Sequence, residues 1–272
     1  MDIAACLADT KLLLALWVLL SSAEWLGNLP LLSDEGLLSF QILRLRPSLL
    51  GAPALQARLY SGRALRTVLI ARIAAGAALL LPLASRWDLP ASLLILGSCA
   101  YLARRTRFGG DGSDQMGLVV ALGVVLMSAG RAAGDSSLAW CGVLAIAGQA
   151  AIAYPAAGIA KWVSPVWRSG VALPRVMNTQ TYGHAGAARL AARSRLLSRA
   201  LCWLIILSES LFPLVLLLPQ PLAVASLACF ALFHLSNAYF MGLNAFVWSF
   251  LATYPAVLTA NAALRHLLGW TS

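Results

Sequence analysis

Eight mostly apolar stretches recur along this chain, at 12–32, 64–84, 89–103, 116–133, 137–161, 199–218, 221–241 and 244–264. A helix needs roughly 20 such residues to cross the hydrocarbon core of a bilayer. Inside lipid a backbone must satisfy its own hydrogen bonds, which a helix does segment by segment. The pattern predicts an all-α fold, a polytopic transmembrane bundle of about eight spanning helices. With no repeat, low-complexity tract or separate soluble stretch, residues 1–272 are expected to form a single membrane domain. Composition agrees, because 60% of residues are hydrophobic and 11% charged, against about 25% charged in a soluble domain. The expected setting is the cell membrane, crossed several times.

The first stretch has two readings. Lys11, then "LLLALWVLL", then "SSA" resembles a signal peptide cleaved after Ala23. The apolar character continues through Leu32, with Trp25 near its end, so a first membrane helix is the favoured expectation. The net charge of +10 does not point to nucleic acid. Its arginines sit mainly in the connections after the first, third and fifth stretches, so the positive-inside rule puts those on the cytoplasmic side and both termini outside. "LLSFQILRLRPSLL" at 37–50 looks like an interfacial amphipathic stretch. The five cysteines form no CxxC pair and read as small buried hydrophobes. No metal site is expected, since three scattered histidines give no ligand spacing. HExxH, GxSxG and phosphate-loop motifs are absent from the sequence.

Ionisable groups at membrane depth are costly and mark candidate sites. Four stand out: Arg72, Lys161, Glu209 and His234. Lys161 is one of only two lysines, Lys11 being the other, in a chain that otherwise chooses arginine. Arginine holds its charge under almost any burial, whereas a desolvated lysine can give up its proton and serve as a base. The alternative is a lysine whose ammonium snorkels to the interface beside Trp162 and Trp167. Tyr154 lies seven residues before Lys161, close to two turns, and shares its face; Gln149 precedes both. Asn237 follows His234 by three residues, making one polar patch. Glu209 reads as a paired charge, with Arg72 as a possible partner. Asp111 and Asp114 in "FGGDGSDQM" suit a helix cap, or else the polar wall of a site entered from the membrane surface.

Several of these residues carry a resemblance. "Tyr154-x-x-Ala157-Gly158-x-x-Lys161" with Trp167 and Gly170, and "Phe233-His234-x-x-Asn237" with Phe246 and Pro255, resemble the two motifs of the horizontally transferred transmembrane (HTTM) domain, the membrane part of vitamin K-dependent gamma-carboxylases. Arg131, Asp135, Trp140 and Gln149 fall where that family has such residues, and the match spans roughly 100–256. The resemblance implies that Lys161 deprotonates reduced vitamin K or menaquinone, with His234 assisting and Asn237 orienting. In the family the hydroquinone then reacts with oxygen, the resulting alkoxide takes a glutamate gamma-proton, carbon dioxide adds to the carbanion, and quinone epoxide is left. Asn237, Tyr154, Gln149, Asp111, Asp114, Arg131, Trp167 and Glu209 are the implied substrate and quinone contacts.

The sequence departs from that pattern in two places. Asp111-Gly112-Ser113-Asp114 stands where the carboxylases have an asparagine-histidine pair, and no stretch of these residues corresponds to their large non-membrane domain. Quinol chemistry is therefore a firmer expectation than glutamate carboxylation, and the use of carbon dioxide stays open. Two other readings remain: a membrane maturation factor for an exported peptide toxin, working with a peptide substrate and a small partner subunit, and a non-catalytic scaffold or transporter.

Overall fold

The computed structural model describes residues 2–43, 53–81, 85–106 and 110–270. Every regular element among them is helical. The chain divides into two compact units, residues 3–142 and residues 143–272 together with the first two. The second half of "LLSFQILRLRPSLL", residues 44–50, lies outside the described residues, as do 107–109 of the basic stretch that follows the third apolar run.

The first unit is built on α1 (Ile3–Gly27), α2 (Gly62–Leu80), α3 (Asp88–Arg105) and α4 (Gly112–Ala133), with the start of α5 (Ser136–Val163). Helix α1 packs on α2 and α4, α2 on α3, and α3 on α4. Leu14, Trp17, Val18, Leu65, Leu69, Ile95, Val120 and Val124 are buried. Helix α2 starts where the Ser61 hydroxyl accepts from the Ala64 amide at 3.2 Å. Helix α4 starts in a reciprocal capping box: Asp111 accepts from the Ser113 and Asp114 amides, and Asp114 accepts from the Asp111 amide. It ends at Gly134, whose φ of 68° is a left-handed conformation that favours glycine.

Burial forces pairing in this unit. Asp88 is 4% exposed and receives Lys11 Nζ at 3.1 Å and Arg131 Nη2 at 2.5 Å. Lys11 therefore sits within α1, which begins nine residues before the apolar run that predicted it. Arg105, also buried, donates to the carbonyls of Leu32 and Tyr60 and ties two connecting segments to the end of α3.

The second unit comprises the rest of α5, the short helices Pro165–Arg168 and Ala172–Met177, then α6 (Ala185–Arg193), α7 (Arg195–Leu211), α8 (Gln220–Met241), α9 (Asn244–Leu251) and α10 (Tyr254–Leu267). Helix α7 runs on as the 3-10 turn Phe212–Leu216. The last apolar stretch is a helix interrupted at Ala252 and Thr253 rather than one unbroken span. Buried Asn261 on α10 closes off the exit from that 3-10 turn, donating to the carbonyls of Val215 and Leu218 at 2.9 Å each. Helices α5 and α7 meet closely at Gly158, where a Cβ would collide with Ser210. Near the start of α7, Ser198 donates to the Gly170 carbonyl at 2.6 Å.

Among the described residues, six helical segments are long and apolar enough to cross a membrane: α1, α4, α5, α7 with its 3-10 extension, α8, and α9 with α10. These suit a multi-pass membrane protein, with many leucines exposed as lipid contact would require. The other two expected spans, α2 and α3, are helices outside that set; α2 carries Arg63, Arg66 and Arg72 in 19 residues.

A Cβ at Gly117 would overlap the Trp17 ring, while one at Gly97 would meet nothing within 4 Å. Overpacking of a filled interior costs about 1–3 kcal/mol. Gly117→Val is therefore expected to lower the thermal unfolding midpoint in detergent by several degrees, and Gly97→Val to leave it nearly unchanged.

Candidate functional site

The second unit holds a cavity of about 330 Å³, and its wall is mostly apolar. Helix α5 contributes Tyr154, Ala157 and Lys161, spaced by three and four residues so that they line one face. Helix α7 contributes Ile205 and Glu209, α8 contributes Phe233, His234 and Asn237, and α9 contributes Phe246 and Phe250. Trp167 and Met177 enter from the two short helices after α5.

Two polar constellations stand in this wall. In the first, Lys161 Nζ donates to Glu209 Oε2 at 2.6 Å and reaches the Ala157 carbonyl at 3.4 Å. The ammonium also lies 5.3 Å from the centre of the Trp167 ring, a distance at which a cation is attracted to the π face. In the second, the Tyr154 hydroxyl lies 2.7 Å from His234 Nε2 and 3.2 Å from the Tyr254 hydroxyl. Rings fix this group in place. His234 stacks on Phe250 with centroids 4.4 Å apart, and Tyr154 stacks on Phe212 at 4.1 Å. His234 is 3% exposed, and its Nδ1 has no hydrogen-bond partner among the described residues. A buried imidazole nitrogen left in this way is costly unless an incoming group completes it.

Six residues chosen from the sequence therefore meet around one cavity: Tyr154, Lys161, Trp167, Glu209, His234 and Asn237. The other four are elsewhere in the fold. Gln149 is on α5, more than three turns before Lys161, and is not among the lining residues. Arg131 binds Asp88 in the first unit. Asp111 and Asp114 form the cap of α4 and line a different cavity, within the first unit. The suggested Arg72–Glu209 pair is corrected: Glu209 takes Lys161, and Arg72 bonds Ser21, Ser98 and Cys99. Sequence reasoning missed Tyr254, Phe212 and Phe250. Tyr254 sits directly before Pro255, which belongs to the second motif, and that proximity was the available signal.

The chain was compared with protein-family models, curated proteins and solved structures, and none of them matches it. The site stands on its own geometry. An apolar cavity of this size suits a flat, mostly apolar molecule with one or two polar groups. The Lys161–Glu209 pair can take up or return a proton, and the unpartnered His234 nitrogen can meet a hydroxyl or carbonyl oxygen.

Glu209 is 5% exposed, so removing only its cation leaves a buried carboxylate unpaired. Breaking one partner of a buried pair costs roughly 3 kcal/mol, while replacing both is often nearly neutral. Lys161→Met is expected to destabilise the protein, and Lys161→Met combined with Glu209→Gln to recover most of the loss, measured by thermal unfolding in detergent.

Proposed function

We propose that this protein is a cell-membrane enzyme of the HTTM, vitamin K-dependent carboxylase-like kind, acting on a reduced quinone that enters the cavity of the second unit. In this reading α2 and α3 also cross the bilayer, giving eight passes. The supporting observation is the pairing, in one apolar cavity, of the Lys161–Glu209 ion pair with the unpartnered Nδ1 of His234.

The residues would act as follows. A shift of the shared proton along the 2.6 Å Lys161–Glu209 hydrogen bond turns ammonium and carboxylate into amine and carboxylic acid. That transfer leaves the amine lone pair aimed at the new Glu209 hydroxyl, and rotation about the Cε–Nζ bond then turns it into the cavity as a general base, with no net charge change in the wall. His234 holds a substrate oxygen through Nδ1, while Tyr154, itself held by the Tyr254 hydroxyl, fixes its ring through Nε2. Asn237, one helical turn on, orients the same substrate. The aromatic walls exclude water, which keeps the base desolvated. A bound hydroquinone would supply the acidic hydroxyl and, with oxygen, the oxidation that leaves an epoxide and drives modification of a second substrate, with or without carbon dioxide. A secreted peptide and a small partner subunit are the matching partners.

A second reading has an observation of its own. The Lys161–Glu209 pair satisfies both charges completely, as a purely structural pair in a scaffold, transporter or toxin-maturation protein would. Quinol turnover separates the two. Purified protein given reduced menaquinone or vitamin K and oxygen is expected to form epoxide, detected in the lipid extract. Lys161→Ala and Lys161→Arg are each expected to lower it by at least about 100-fold, the smaller end of what a general base contributes. Full activity in Lys161→Arg would remove the base role, because arginine keeps charge but gives up no proton. Epoxide absent from folded wild-type protein, even with its neighbouring gene products added, would favour the structural reading.

A further inference from the structure

The first unit holds a cavity of about 360 Å³, and nothing in the proposed reaction uses it. Its wall includes Trp17, Trp25, Arg72, Thr106, Asp111 and Asp114. Arg72 is 1% exposed. Its acceptors are all neutral: Ser98 Oγ at 3.2 Å, Cys99 Sγ at 3.3 Å and Ser21 Oγ at 3.1 Å. The guanidinium lies 4.7 Å from the centre of the Trp17 ring. Its Nε has no partner, and no carboxylate among the described residues is within ion-pair distance. Arginine does not shed its proton, so a buried guanidinium lacking a counter-anion is strongly disfavoured. The Trp17 indole N–H and the Thr106 hydroxyl, in the same wall, are also buried without partners among the described residues.

The opposite charge is in the same cavity at a different depth. Arg72 bonds Ser98, seven residues before the end of α3 at Arg105, which is roughly 10 Å along a helix. Asp111 and Asp114 stand at the start of α4, on the near side of the α3–α4 connection. Asp114 and Arg72 line this one cavity without coming within ion-pair distance of each other. The cavity thus presents a cation at its inner end and two carboxylates at its outer end.

We propose that this cavity binds a small zwitterion, its acidic group on Arg72 and its ammonium on Asp111 and Asp114. Two sources carry that chemistry: the phosphoethanolamine headgroup of a membrane lipid, or a free amino acid or amine-bearing acid from solution. The order of charges matches a phospholipid in place, with phosphate toward the hydrocarbon and ammonium toward water. Trp25, Leu102 and Leu118 give the cavity its apolar flank.

The test uses the full chain in nanodiscs of phosphatidylethanolamine mixed equally with phosphatidylglycerol, with retained lipid read by native mass spectrometry. Wild-type protein is expected to retain phosphatidylethanolamine at least tenfold over phosphatidylglycerol. Asp111→Asn with Asp114→Asn preserves a good helix cap but removes the ammonium site, and should abolish or invert that preference. In parallel, detergent-purified protein is heated with O-phosphoethanolamine or glycine. A melting shift with either, absent in the double variant, identifies a soluble source, whereas lipid retention without it identifies the headgroup. No preference and no shift in the wild type would overturn the proposal, as would a preference or shift that the double variant leaves intact.

Discussion

A charge inside lipid must find its complement inside the protein, and that requirement organises this structure more than any packing detail. Helices satisfy the backbone, so what remains is the small set of ionic side chains carried along with it. Asp88 collects Lys11 and Arg131, and Lys161 takes Glu209. Arg105 spends its charge on the carbonyls of connecting segments. Arg72, likewise without a carboxylate among the described residues, is held by hydroxyls, a thiol and an indole face. One cavity lies beside the unpartnered Nδ1 of His234 and the other beside the unpartnered Nε of Arg72.

Pairing also sets how sensitive each region is to change. A buried ion pair contributes little net stability over well-packed apolar residues, yet it is costly to break from one side. Residues such as Glu209 and Asp88 therefore constrain their partners strongly without making the fold much more stable. They fix which helix faces which. Close approaches do the same for the backbone, at Gly158 against Ser210 and Gly117 against Trp17.

The sequence made some of this readable and withheld the rest for identifiable reasons. Among the described residues each of the eight apolar runs is mainly helical, because length and hydropathy determine that locally. Lys161 and His234 were conspicuous since an ionisable side chain in an apolar run is rare. The cap at Asp111 and Asp114 follows from short acidic residues placed three apart before a helix. Partnership was not readable. Depth along a helix gave Glu209 and Arg72 as plausible mates, but depth does not say which helices are neighbours, and the neighbour proved to be α5. Tyr254 lies 100 residues from Tyr154, and no local pattern reports a contact of that span. The break between α9 and α10 falls at Ala252 and Thr253, just before Pro255 in the first turn of α10, a signal that a reading by hydropathy alone passes over.

The hydroxyl of Tyr154 sits between the imidazole of His234 and the hydroxyl of Tyr254, and owns a single hydrogen. If it points to His234, the imidazole carries its proton on Nδ1 and offers the cavity a donor. If His234 instead donates from Nε2, the tyrosine hydrogen turns to Tyr254, and Nδ1 offers a lone pair. The heavy atoms are the same in both arrangements. One wall can therefore greet a carbonyl or a hydroxyl with equal geometry, changing only the direction in which a short chain of hydrogens is read. A redox pair whose members differ by that very exchange could be held at both stages of a cycle without any side chain moving.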